Sequence, residues 1–498
     1  MREHQDATSG PMRRVILGAL AGAALLLGSC RDKEEGAVTV TVIGSGLKLV
    51  DPAAGVLTAP QQVLIANAAQ GLVRFDAQGN IEPGLAERWN VSDDGLSYIF
   101  RLKKGEWPGG REIRAQDVAR MLRRQLQAGS RNPLKDTFGA VAEIVAMTDR
   151  VIEIRLSAPR PHLLQLLAQP EFGLVRNGQG SGPFEAEREE GGMALTRDLP
   201  APDGEEPATE RVTLTATAGA EEAVKAFVDG RTELVLGGTF ADLGAALGAN
   251  LPRGSLRFDP VAGLFGLIPA RGSGPAADAD LRGLLDRAID RPAMVAALGV
   301  PDLEPRASIL QPGLDGLAVP FTPEWATVPL SDRREQLIAE AQRFRDDAEE
   351  PLTIRVAVPE GPGGQIVLQR LRADWGALRF QVEPAERGAQ ADFRFVDAVA
   401  PSVSPAWFLR MFRCEAAAVC VESADELLQA ARLSGSAQQR NAFFADAERQ
   451  LREATVFMPI AAPVRWSLVD RRVIGFAENR FARHTLTGLR EQVRGRRN

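Results

Sequence analysis

Histidine, cysteine and tyrosine are nearly missing from this chain of 498 residues, with three, three and one of each. That scarcity excludes much chemistry. The histidines are His4, His162 and His484. None lies four residues from another or beside a cysteine, and no H-E-x-x-H occurs, so no metal-ligand pattern arises. G-x-S-x-G and G-x-x-x-x-G-K-[ST] are also absent, which removes the sequence signals of a serine hydrolase and of a phosphate-cradling loop. Gly178, Gly180 and Gly182 lack a preceding apolar strand and a following helix, so they do not read as a dinucleotide fingerprint. The expectation is a protein that is not an enzyme and holds no metal or cofactor. Aromatic residues make up 6% of the chain, little rigid surface of the kind used by pockets for extended peptides. The net charge of −6 argues against non-specific nucleic-acid binding.

Long apolar runs are absent too, with one exception at the start. Arg13 and Arg14 precede the apolar run from Val15 to Leu27, which is too short to span a bilayer comfortably, since that takes roughly 20 residues. The run ends in Leu27-Gly28-Ser29-Cys30, which looks like a lipobox. Residues 1–29 therefore read as a lipoprotein signal peptide, with Met12 an alternative start, and Cys30 as the lipidated first residue of the mature chain. A charged tether, residues 30–37, follows. The expected location is the periplasm, lipid-anchored to the membrane. The other two cysteines, Cys414 and Cys420, form an even pair in an exported protein and read as a disulfide.

The length exceeds what one hydrophobic core supports, so more than one domain or lobe is expected. Val38 to Ile43 alternates and is β-branched, which predicts a strand. Leu96, Tyr98 and Phe100 alternate with polar residues in a second strand. Val118, Met121, Leu122 and Leu126 fall at helical spacing. Residues 212–236 read as strand, helix, strand, with Gly230 at the helix C-terminus. Residues 352–382 repeat that pattern. Leu281, Leu284, Leu285, Ala288 and Ile289 form one helix face. Asp290 reads as the N-cap of the next helix, with Pro292 in its first turn. Asp332 and Glu335 suggest a capping box for a helix burying Leu337, Ile338, Ala341 and Phe344. Phe443, Phe444, Ala447 and Leu451 line a late helix. The chain is thus α/β, and such layouts place ligands at strand ends or between lobes.

One long stretch is more specific. It runs Gly71-Leu72-Val73-Arg74-Phe75-Asp76, then Ile81 to Trp89 (IEPGLAERW), then Ser92 to Gly105 (SDDGLSYIFRLKKG), then Ala115-Gln116-Asp117-Val118. This resembles the extracellular solute-binding proteins of the peptide/nickel ABC-transporter family (family 5, the oligopeptide- and dipeptide-binding group). Asp51-Pro52, Gly180 to Phe184, Ala288 to Arg291, Met458-Pro459-Ile460 and Val473 to Phe476 continue the resemblance in order. It implies a periplasmic-binding-protein type II-like fold, two lobes with a hinge, plus an extra β-rich subdomain in lobe I. Lobe I would take 38–60, 175–262 and 460–498, the subdomain 61–174, and lobe II 263–459. The implied function is the substrate-binding component of an ABC importer, a monomer that captures a small molecule or peptide and delivers it to a membrane permease. The alternative is a lipoprotein sensor or interaction module that works without a transporter.

The resemblance also locates ligand-binding candidates. Ser45, Gly46 and Leu47 follow the first strand, where lobe I of the family meets its ligand. In peptide-binding members an aspartate of lobe II meets the peptide ammonium. Here an ungapped match through Asp392, Pro405, Phe408 and Leu409 puts Pro401 at that place and Ala398 at a neighbouring tryptophan's. A buried ammonium without a carboxylate is expensive, so Asp397 is the candidate substitute. Arg394 is a candidate for an anionic group, and Ala398, Val399 and Ser402 complete the set.

Overall fold

In a computed structural model of the chain, the described residues are 37–201, 208–317, 319–345, 351–386 and 390–491. The signal peptide, Cys30 and nearly all of the tether lie outside them. The predicted first strand, Val38–Ile43, is the centre of a seven-stranded sheet. It pairs in parallel with Thr209–Thr217 and Leu234–Thr239. Gly192–Asp198 and Glu185–Glu189 extend one side of this sheet, and Arg465–Val469 and Leu256–Phe258 the other, all antiparallel. Because helices cover this sheet, Val38, Val40 and Val42 are wholly buried, as expected of a central strand in an α/β layer. The helix Ala220–Val228 links two of the strands, and Gly230, at φ 70°, ends the turn after it. A left-handed φ there favours glycine.

A second sheet has five strands in the order Gln381–Pro384, Thr353–Ala357, Phe393–Val399, Gly263–Pro269 and Met458–Pro459. Its first two strands, with the helix Pro362–Gly376 between them, are the predicted strand-helix-strand unit. Asp290 caps the helix Arg291–Leu298, its carboxylate accepting from the Ala293 N–H at 3.0 Å. The capping box at Asp332 and Glu335 does not form. The helix Leu330–Gln342 starts after Pro329, so both residues lie inside it. Leu337 and Ala341 are buried, whereas Ile338, one residue and so about 100° round the helix from Leu337, is exposed. Cys414 and Cys420 are joined as a disulfide, their Cα atoms 5.0 Å apart.

The β-rich subdomain holds a four-stranded antiparallel sheet, Ala86–Val91, Ser97–Leu102, Val151–Leu156 and Val141–Thr148. Tyr98, Phe100 and Leu102 point into its core, against Val118 and Leu122 of the helix Ala115–Leu126. Gly180 and Gly182 serve packing. A Cβ on Gly180 would sit 2.3 Å from the Ala68 carbonyl oxygen, and one on Gly182 2.4 Å from the Ala68 carbonyl carbon. Only glycine lets that hairpin lie against the end of the helix Ala59–Ala68. Among the described residues no helix is long and apolar enough to cross a membrane, and no group of three or more acidic, histidine or cysteine residues could hold a metal ion.

Candidate ligand site between the lobes

Two short segments join the large sheets. The chain leaves the first sheet at Phe258 and enters the second at Gly263; it leaves the second at Pro459 and re-enters the first at Arg465. Two such crossings make a hinge with a cleft beside it. Gly263 lets the strands close up there, because a Cβ would lie 2.0 Å from the Ala398 carbonyl oxygen.

Asp397 sits at this hinge and is already engaged. Its carboxylate accepts from Arg465 Nη1 at 2.8 and 2.9 Å. Burial pushes its carboxyl up, and the Arg465 guanidinium opposes that shift. The carboxylate therefore belongs to an internal ion pair. Ala398 and Val399 follow on the same strand, half-buried, and pair with Leu264 and Gly263. Ser402 is buried just beyond. Arg394 is not brought to this group. It pairs with Ile268, five residues from the Val399–Gly263 pair, roughly 17 Å along the strand at ~3.3 Å per residue. On the facing lobe Ser45 and Gly46 are exposed and Leu47 half-buried. Thr58 holds this loop by donating to the Ser45 carbonyl at 2.8 Å, and its helix begins with a capping box to Gln61.

The bonds that cross the cleft come from residues no motif flagged. Gln169 Nε2 donates to the Pro401 carbonyl at 2.8 Å. Gln165 Oε1 accepts from the Val403 N–H at 3.1 Å. His162 Nε2 lies 3.1 Å from Asp315 Oδ2. Pro401 thus offers a backbone carbonyl, and the protein's own Gln169 occupies it. Behind Gln169, its Oε1 accepts from Arg483 Nε at 2.9 Å, and Arg483 also donates to Gln62 Oε1 at 2.6 Å. Gln62 in turn donates to Glu171 Oε1 at 3.0 Å. These amides carry no charge and no sequence signature, and their partners lie far away in the chain. Closer to the hinge, Phe240 of one lobe meets Phe265 of the other edge to face and Phe395 at a tilt, with ring centroids 4.8 and 5.2 Å apart.

The family model described as bacterial extracellular solute-binding proteins, family 5 Middle, matches residues 80–397. The chain belongs to this family. A probable deoxycholate-binding periplasmic protein of Escherichia coli (strain K12) is 30% identical over 131 residues, 23% of this chain and 24% of that protein. The match thus spans about a quarter of that relative's length. A probable di/tripeptide-binding protein 5 of Pseudomonas aeruginosa (strain UCBPP-PA14) is 24% identical over 482 residues, 83% of this chain and 88% of that one. The Escherichia coli murein tripeptide binding protein superposes with a TM-score of 0.78 at 18% identity, over 92% of this chain and 99% of that one. Its unliganded open form superposes at only 0.64, with 19% identity, over 91% and 95%.

Proposed function

We propose that this family 5 protein is the substrate-binding component of an ABC importer. It captures a small solute between two closing lobes and delivers it to a membrane permease, tethered beside that permease through lipidated Cys30 in the periplasm. The observation that carries the reading is the cleft: two lobes on a two-segment hinge, with polar side chains of one reaching the backbone of the other at Pro401 and Val403. A solute that bridges both lobes makes all its contacts only when they close, so it shifts the population toward the closed form. The docked, closed form is what a permease would read. For the chain's partition we propose lobe I as 38–60, 175–262 and 460–498, the subdomain as 61–174 and lobe II as 263–459. The helix Ala59–Ala68 joins the first two, burying Leu64 and Ala68 against the large sheet.

The ligand is argued from the same residues. Asp397 is neutralised by Arg465 and Pro401 supplies a carbonyl, so neither position offers a free carboxylate to meet an ammonium. The reading therefore favours a solute that offers hydrogen-bond donors and acceptors there, with Ser45, Gly46, Leu47, Ala398, Val399 and Ser402 as its nearest contacts. Thermal-shift screening against peptides, opines, sugars and metal chelates tests this. A rise in melting temperature with one class supports the reading. No rise with any class, together with no binding to a co-expressed permease, would overturn it.

A further inference from the structure

Gln169 reaches Pro401 only when its amide points the right way, and Arg483 settles which way that is. The Gln169 Nε2 donates across the cleft to the Pro401 carbonyl at 2.8 Å, while its Oε1 accepts from Arg483 Nε at 2.9 Å. A guanidinium carries donors and no acceptor, and a proline nitrogen donates nothing. Arg483 therefore admits only the oxygen of Gln169. That turns the amide nitrogen toward lobe II, where Pro401 presents only an oxygen. The reverse orientation would set donor against donor on one side and acceptor against acceptor on the other. Gln62 is oriented by the same group, its Oε1 accepting from Arg483 Nη1 at 2.6 Å and its Nε2 donating to Glu171 Oε1 at 3.0 Å. Gln169 and Glu171 are buried, so a mismatched contact there carries the full cost of an unsatisfied polar group.

Arg483 is itself held from the hinge. Its N–H donates to Asn479 Oδ1 at 3.2 Å, and its carbonyl accepts from Asn479 Nδ2 at 2.9 Å. The Asn479 N–H donates to Asp259 Oδ1 at 2.9 Å, and His484 Nε2 lies 3.1 Å from Asp259 Oδ2. Asp259 stands in the first of the two crossings between the sheets. Its N–H donates to the carbonyl of Arg465, at the end of the second crossing, at 3.0 Å. Arg465 in turn holds Asp397, four residues before Pro401. The contacts thus close a ring, from lobe II through both crossings into lobe I and back across the cleft.

Taking the solute-capture reading as its basis, we propose that Arg483 is a positioning residue for capture. It fixes the Gln169 amide so that closing the lobes makes the bond to Pro401, and it ties that bond to the hinge at Asp259. It acts through Gln169 and does not touch the solute.

A double-mutant cycle tests this, read by isothermal titration calorimetry with the peptide, opine, sugar or metal chelate that most raises the wild-type melting temperature. Arg483→Met should weaken binding about tenfold. In a Gln169→Ala background the same substitution should change binding by less than about twofold, because the group it positions is gone. Gln169→Glu keeps an oxygen facing Arg483 but meets the Pro401 carbonyl with a second acceptor, so it should also weaken binding about tenfold. The melting temperature of each variant without solute reports folding, and Gln169→Glu carries the test if Arg483→Met does not fold. Equal weakening by Arg483→Met with and without Gln169, or wild-type affinity in Arg483→Met or in Gln169→Glu, overturns the proposal and leaves the capture reading standing. If no solute binds the wild type, the capture reading falls and the proposal with it.

Discussion

Replacing Arg465 with methionine isolates the hinge ion pair. The two side chains are 82% and 88% buried by their exposed fractions of 18% and 12%, and the guanidinium makes two contacts under 3 Å to the carboxylate. Removing one partner of a buried pair leaves an uncompensated charge and costs about 3–5 kcal/mol. For a chain of this size the unfolding entropy is on the order of 1 kcal/mol/K, so Arg465→Met should lower the melting temperature by roughly 3–5 °C. Its sign with pH is fixed by Asp397. Burial already raises that carboxyl, and the variant loses the charge that opposes the rise. A carboxyl with a raised folded pKa destabilises the fold once pH climbs above the unfolded value of about 4, and the loss is recovered as pH falls and the group protonates. Scanning calorimetry from pH 7 to pH 4 should therefore show the gap between Arg465→Met and wild type narrowing. Adding Asp397→Asn to the variant should restore most of the stability at pH 7. A loss under about 1 kcal/mol that does not change with pH would show that water, not Arg465, satisfies Asp397, and the account of the hinge would be wrong.

Three further outcomes follow from the same contacts. Gln165→Ala with Gln169→Ala removes two bonds across the cleft at about 1 kcal/mol each, so the ratio of closed to open forms should fall about thirtyfold; small-angle scattering would read a larger radius of gyration. Burial lowers the His162 pKa, although Asp315 opposes this. A histidine depressed in the folded state contributes stability above its unfolded value of about 6.5 and loses it as pH falls. His162→Gln should flatten that acid-side loss in a denaturation series. Cys414→Ser opens a short disulfide loop and should cost about 2 kcal/mol in urea unfolding, with no change in the midpoint of the variant on adding reductant.

Much of the scaffold could be read from local pattern because local physics decides it. Asp290 caps its helix through a bond to Ala293, three residues on, and the alternation of Tyr98, Phe100 and Leu102 fixes which face of a strand is buried. Where a local rule failed, another local rule won. Pro329 starts its helix ahead of Asp332, and the capping box at Glu335 gives way. The site was less legible. Ser45 to Leu47 and Ala398 to Ser402 came from family resemblance rather than from chemistry visible in the chain. Gln169 and Pro401 are 232 residues apart and Arg465 and Asp397 are 68 apart, so their contacts arise only when the lobes meet. A neutral glutamine gives no signal until its partner is in place.

The most direct measurement is small-angle X-ray scattering of the purified protein with and without the solute that most raises its melting temperature. The account predicts that this solute lowers the radius of gyration, as the lobes shut on it and the bonds at Pro401 and Val403 form. A solute that binds tightly at saturating concentration yet leaves the radius of gyration unchanged would contradict capture by closure.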